Sequence, residues 1–400
     1  MNNYKNSTFC PLLFQHLATH PHGGVTHCCV ADHRNAISSA KDENNYYYNL
    51  NTDSIYNTFN SASFRKARLQ VLENRKPKAC LRCFDEESKN IKSKRLEEIG
   101  NYPDFTLDFA KKITDDEGYI KDLDFDFVEL RLGNTCNVSC RTCNPASSSK
   151  WLEDYDLLQK HLSFKLTNYN SLLSFKWPEQ DGFWDDLLKY CKNVKTFYIN
   201  GGEPTLIKQH FVFLEKLANL GMTNIKLWYN INMTNLNENI LEIWRKFDKV
   251  KISCSIDDLY ERNEYIRHPT KWDTVLENFN KLKKEKFEID VTQTVSFMNY
   301  SNLDNFYDFF HNKNNVWVHH NYVYDPAILS PNVLPLKYRD SIHQKFKAKF
   351  PDWKIKELTS LFSKPDNIDD WEKAKEYTLY LDKFRNQSIF NFLPEFKTLL

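Results

Sequence analysis

The sequence predicts an α/β protein in three parts: a cysteine-rich module over residues 1–100, a series of parallel βα units over residues 101–330, and a helical extension over residues 331–400. Three observations carry this. Between about residue 120 and 325, short apolar or alternating runs of strand length take turns with stretches of helical periodicity. Cysteines crowd the first third of the chain, whereas the last 70 residues hold none. Charge is near balance, 54 Lys and Arg against 53 Asp and Glu, with 41% hydrophobic residues, as in a globular protein of two or three folding units.

The same composition excludes some classes. Without a net basic surplus there is no clear nucleic-acid signal, and no run is long and apolar enough to span a bilayer. The opening MNNYKNSTFCPLLF lacks the apolar core of a signal peptide, so a cytoplasmic location is expected. Of the ten cysteines, seven stand in paired or triplet spacings, a pattern of metal ligands in a reducing compartment rather than of disulfides.

In chain order, Cys10 precedes Pro11, and Cys28 and Cys29 follow the turn-forming Gly23-Gly24. Residues 54–74 read as one helix with Ile55, Phe59, Ala62, Leu69 and Leu72 on its buried side. Cys80 and Cys83 then make a CxxC. Four thiolates, from Cys10, one of Cys28 and Cys29, Cys80 and Cys83, suffice to close a complete site for an iron–sulfur cluster or a zinc ion. The sequence leaves the choice within the pair open; Cys28 is the nominee. A charged helix is expected over residues 87–99, ending before Gly100-Asn101-Tyr102-Pro103.

The βα region gives strands at residues 127–132, 196–200, 225–231, 251–256, 289–297 and 316–323, and helices at 151–161, 211–220, 238–247 and 274–284. Just after the first strand, Cys136, Cys140 and Cys143 stand as CxxxCxxC. Three thiolates at a strand's C-terminal end suit a soft metal centre, and the missing fourth ligand leaves one metal position open to an outside molecule. The second strand runs into Gly201-Gly202-Glu203-Pro204, whose glycines permit backbone geometry that other residues resist and allow a ligand to approach closely. Cys191 and Cys254 read as core residues. In the tail, helices are expected over residues 336–350 and 369–386, with no chemistry beyond packing on the units before them or covering their mouth.

CxxxCxxC after a strand, with GGEP one βα unit later, resembles the radical S-adenosylmethionine (radical SAM) superfamily. The resemblance implies a partial (β/α)6 barrel, a 4Fe-4S cluster on Cys136, Cys140 and Cys143, and SAM completing the fourth iron. It further implies SAM contacts at Gly201, Gly202, Glu203 and Pro204, at Asn232 and Thr234 in place of a Thr-Asn-Gly segment, and at Ser255. Arg267 is expected to pair with the methionine carboxylate, as a guanidinium suits that anion; a surface pair with Glu264 is its plainer alternative, and a turn or helix cap that of Asn232. Thr142 stands where many relatives have an aromatic residue, and Asp258 where they have glycine. The order of Cys10-Pro11, Cys28-Cys29, Asn60-Ser61, Arg65, Arg68 and the CxxC resembles the twitch/SPASM auxiliary-cluster module, here ahead of the barrel, which implies a second 4Fe-4S cluster acting as an electron relay. The expected activity is reductive cleavage of SAM and hydrogen abstraction from a peptide or protein, with a flavodoxin or ferredoxin as one-electron reductant. The alternatives are a radical SAM dehydrogenase or epimerase acting on a sugar or other small molecule, and a non-catalytic metal-binding scaffold. No residue is nominated as catalytic in the sense of touching the reacting carbon.

Overall fold

A computed structural model describes residues 7–32, 36–167 and 175–399. The strands in chain order are β1 (His16–Thr19), β2 (Val25–Thr26), β3 (Phe127–Leu132), β4 (Thr196–Gly201), β5 (Lys226–Ile231), β6 (Lys249–Ser255), β7 (Glu288–Val295) and β8 (Trp317–Tyr322). All six predicted strands form, with bounds within two residues of those read from the sequence. The helices used below are α1 (Ile55–Phe59), α2 (Ala62–Leu72), α3 (Leu81–Ser88), α4 (Lys94–Asn101), α5 (Trp151–His161), α6 (Tyr260–Ile266), α7 (Leu336–Lys347), α8 (Asp352–Phe362) and α9 (Ile368–Arg385).

The chain divides into two compact units. The first comprises Met1–Thr135, Leu172–Tyr229 and Asn239–Val250. In it β3, β4 and β5 pair in parallel, as expected for βα units, with Phe127 opposite Thr196 and Thr196 opposite Lys226. The sequence reading missed β1 and β2. β1 extends the sheet in parallel beside β3, with His16 opposite Phe127 and Ala18 opposite Glu129, and β2 closes that edge as an antiparallel hairpin. Four residues, HLAT, are too few to show a period.

Two helices differ from expectation. The single helix over 54–74 is broken at Asn60-Ser61 into α1 and α2. The Asn60 side chain is turned to the loop at Ile120, donating to Ile120 O and accepting from Ile120 N at 3.0 Å each, while Ser61 adopts the extended backbone of an N-cap. The break resets the helical phase: Phe64, Ala67, Arg68 and Val71 are buried, and Leu69 and Leu72 lie half-buried. Likewise the helix expected over 87–99 is two, α3 and α4, because Ser93 starts a new one by accepting from Leu96 N.

The second unit comprises Cys136–Ser171, Asn230–Glu238 and Lys251–Leu400. β6, β7 and β8 pair in parallel, Ser255 opposite Thr292 and Val295 opposite Tyr322. The extension is α7, α8 and α9, of which α8 was not foreseen. Its Leu358 and Phe362, fully buried, join Phe346, Leu381, Tyr300, Val295 and Trp151 in one core. Burying such side chains stabilises the fold by about 1.5–3 kcal/mol each, so the tail is part of the unit's core rather than an appendage. Among the described residues no helix is long and apolar enough to cross a membrane.

Candidate metal centres and cofactor site

Gly133, at φ +64°, turns the chain out of β3 and into the cysteine loop. The loop is held by its own backbone and by the segment around α6. Cys143 N donates to Cys140 O at 2.9 Å, the Trp151 indole donates to Cys140 O at 2.8 Å, and the Ser148 hydroxyl donates to Val138 O at 2.6 Å. Ser139 N and Arg141 N donate to the carbonyls of His268 and Ile266, both at 2.7 Å. The three sulfurs thereby gather in one small cluster around Val138, Cys136 and Cys140 buried and Cys143 half-buried. Burial pushes the Cys140 thiol up to about 12, against the pull of the Arg267 guanidinium. Cys143 is raised too, by burial and then by Cys140. Three sulfurs that repel one another as thiolates in a dry pocket call for cationic charge at their centre, the donor chemistry of an iron–sulfur cluster.

Asn232 and Thr234 stand against this loop. Asn232 Nδ2 lies 3.8 Å from Cys136 Sγ and donates to Asn137 Oδ1 at 2.8 Å, while its Oδ1 accepts from Thr234 N and Oγ1. Asn137 in turn donates to Thr234 Oγ1 at 2.8 Å. Asn232 forms a local turn, and Met233 takes φ +65° inside it. Ser255 ends β6, half-buried. Arg267 closes α6, its side chain 9% exposed, with Nη1 on Asp257 Oδ2 at 2.9 Å. The plainer pairing with Glu264 does not form, since Glu264 bonds Lys271 and Trp272 N. The backbone bonds from Ser139 and Arg141 to His268 and Ile266 bring Arg267 alongside the cysteine loop, Cys140 is the largest influence raising its pKa against burial, and its buried Nε has no hydrogen-bond partner. A buried N–H of a cation left open next to three sulfurs fits an anionic ligand such as a carboxylate.

In the first unit, the GGEP residues grip the segment that leads into Cys136. Gly202 N donates to Gly133 O and Glu203 N to Thr135 O at 2.8 Å. A Cβ on Gly202 would stand 2.3 Å from Thr135 O, and one on Gly201, at φ +138°, 2.5 Å from Leu132 N. Only glycine permits this approach. Glu203 is buried, its carboxylate accepting from the Thr205 hydroxyl at 2.6 Å and from Thr205 N; Pro204 starts the turn that follows.

The N-terminal cysteines also converge. Cys10, Cys28, Cys80 and Cys83 line one hollow together with Lys94, Arg95 and apolar residues such as Leu12 and Val71. Cys10, Cys28 and Cys80 are raised chiefly by burial and then by neighbouring cysteines. Cys29 does not line the hollow; it shares a hydrogen bond with Glu129 of β3 and is pushed up to about 12 by burial and that carboxylate. Arg68, fully buried, donates to Leu13 O, Asn60 Oδ1, Gly118 O and Phe59 O, which ties together the segment after Cys10 and the Asn60 break. Among the described residues no three His, Cys, Asp or Glu side chains converge on the position of a single metal ion. Cysteines of a cubane bind different irons and stand farther apart than the ligands of one ion.

Sequence reasoning missed Arg141, whose guanidinium is fully buried on Asp382, and a cavity of about 380 Å³ beside Cys143, bounded by Trp151, Tyr155, Phe164, Asp325, Lys373 and Tyr377. It also missed Glu129, a buried carboxylate 3.7 Å from His16 that shows in the sequence only as one polar position in an alternating strand.

Residues 130–311, from within β3 to just before β8, match the profile described as the Radical SAM superfamily. This stretch belongs to the radical SAM superfamily. A radical SAM domain takes a 4Fe-4S cluster and SAM, and the sulfurs of Cys136, Cys140 and Cys143 with the open Arg267 Nε suit that pair. Among solved structures, anSMEcpe with bound AdoMet is 18% identical, matched over 56% of this chain and 59% of that one, with a TM-score of 0.37. SuiB from Streptococcus suis, bound to S-adenosylmethionine, is 16% identical over 73% and 61%, with a TM-score of 0.38. The chain thus spans about three-fifths of the length of these structures. No curated protein matches the chain.

Proposed function

We propose that the protein is a radical SAM enzyme that abstracts hydrogen from a peptide or protein, with a second, auxiliary cluster in residues 1–100 ahead of the barrel of residues 101–330. The observation that carries this reading is the gathering of Cys136, Cys140 and Cys143 beside Asn232 and a buried, incompletely satisfied Arg267. A cluster held by Cys136, Cys140 and Cys143 would supply one electron for reductive cleavage of SAM and so for hydrogen abstraction from a substrate carbon. The chain's own residues bind and orient. Arg267, held by Asp257, presents its free Nε to the methionine carboxylate; Asn232 and Thr234 brace the loop at Cys136; Gly201 and Gly202, packed against Leu132 and Thr135, fix the entry to that loop and are assigned with Glu203 and Pro204 to the SAM amino group, and Ser255 offers a hydroxyl. Burial of Cys136 and Cys140 keeps water from that side of the centre, while Cys143 faces the cavity.

Cys10, Cys28, Cys80 and Cys83 supply four ligands, leaving no iron of the auxiliary 4Fe-4S cluster open, so it relays electrons rather than holding substrate. The cavity beside Cys143 is of a size that takes a side chain or a short peptide segment, with aromatic walls and both signs of charge. A flavodoxin or ferredoxin in the cytoplasm supplies the electrons, in keeping with cysteines spaced as metal ligands. The test is anaerobic reconstitution with iron, sulfide and zinc counting, followed by a dithionite-driven assay for 5′-deoxyadenosine. About eight irons and SAM cleavage are expected; a loaded protein that leaves SAM intact overturns the enzyme reading, and about four irons with one zinc overturns the auxiliary cluster.

A further inference from the structure

Helix α9 contains none of the residues assigned above to a cofactor, yet its side chains reach the cysteine loop at several points. Asp382 Oδ1 accepts from Arg141 Nη2 at 2.5 Å and from the Tyr265 hydroxyl at 2.8 Å, and its Oδ2 accepts from Ile389 N at 2.6 Å. Tyr377 donates to Arg141 O at 3.2 Å, and Arg385 bonds Asp154 at 2.7 Å while lying over the ring of Trp151, the residue that donates to Cys140 O. Arg141 stands between Cys140 and Cys143 in the sequence. Its Nε donates to Tyr265 O at 3.0 Å, its guanidinium covers the Tyr265 ring at 3.7 Å, and Gln387 accepts at 2.9 Å. Tyr265 and Ile266 immediately precede Arg267. One carboxylate in the tail therefore holds both the loop that carries the three sulfurs and the strand of chain that carries the proposed carboxylate clamp.

The geometry points to Asp382 as a positioning residue that sets the cysteine loop against Arg267, so that the C-terminal extension tunes SAM binding from outside the SAM site. A buried ion pair is weak evidence for stability, because apolar replacements of similar volume often cost nothing. What this pair supplies is a fixed relation between two elements, the work that partners of metal-site residues do elsewhere. The inference rests on the radical SAM reading above.

The experiment is Asp382→Asn in the full chain, reconstituted anaerobically. Asn keeps the shape and one acceptor but removes the charge that holds Arg141. The expected result is an unchanged iron count, a melting temperature lowered because the buried Arg141 loses its counter-charge, a SAM-induced change in the electron paramagnetic resonance spectrum of the reduced cluster that differs from wild type, and SAM affinity weakened by about tenfold. Gln387→Leu, which removes one bond to Arg141, moves affinity the same way by less, and it decides the matter if Asp382→Asn does not fold. Variants with wild-type spectra and wild-type affinity overturn the inference. A wild-type protein whose spectrum ignores SAM overturns the radical SAM reading instead, so the two failures are distinct.

Discussion

Arg68 offers a direct test of how the first unit is held together. Its side chain is fully buried and makes four hydrogen bonds, to Leu13 O at 2.9 Å, Asn60 Oδ1 and Gly118 O at 3.1 Å, and Phe59 O at 2.6 Å, while lying 4.4 Å from the Phe59 ring. These partners include no carboxylate, and burial lowers its pKa to about 9, so at neutral pH it is a charge satisfied by carbonyl dipoles. Arg68→Met keeps the length and removes all four bonds. Hydrogen bonds to a charged group contribute about 1.5–3 kcal/mol each, but methionine also removes the penalty of burying the charge, which is several kcal/mol. The net loss is about 3–5 kcal/mol, what remains of four such bonds once that penalty is set against them. For a unit of this size that lowers the melting temperature by roughly 10 °C. The assay is thermal unfolding of the metal-free, reduced protein, so that iron plays no part. Arg68→Lys, which keeps the charge without the planar fork, falls between the two. A methionine variant melting within about 2 °C of wild type, or a lysine variant restoring it fully, refutes the argument that guanidinium geometry is what matters.

Other expectations are briefer. Cys28→Ser should release about four irons from the loaded protein, whereas Cys29→Ser should leave the iron count unchanged, because only Cys28 shares the hollow with Cys10, Cys80 and Cys83. Gly202→Ala should weaken SAM use by about 100-fold, read as 5′-deoxyadenosine formed at limiting SAM, since the added methyl would push Thr135 and with it the entry to Cys136. His210 is fully buried with Nδ1 on Ile207 O at 2.6 Å, and burial pushes its imidazole down to about 3. The unfolded chain binds this proton first as pH falls, so the stability present above the ordinary histidine value is lost between there and about pH 3, at about 1.4 kcal/mol per pH unit. His210→Gln should therefore flatten the acid side of the melting-temperature profile; an unaltered slope contradicts it.

The parallel strands of each unit were legible because they announce themselves locally. The run FDFVELRL alternates, GGEP ends a strand, and CxxxCxxC is contiguous, so the cysteine loop needed no long-range information. The helix break at Asn60 was not legible, for the residue that causes it bonds Ile120, sixty positions away. Nor was Arg141: within its motif it is an ordinary basic residue, and only the fold brings Asp382 to it across 241 positions. The nomination of Cys28 over Cys29 illustrates the middle case. The pair was visible in the sequence, but which thiol turns toward Glu129 depends on β3.

The short strand β1 has a practical meaning for anyone wishing to study the two modules apart. Because it hydrogen-bonds along β3, cutting the chain near residue 100 would strip a row of amides and carbonyls bare at the sheet's margin. Such a fragment should stick to its own copies, and the amino-terminal piece would in turn lose the template on which its hairpin rests. Residues 1–100 therefore do not come away as a cassette, because β1 is paired with β3.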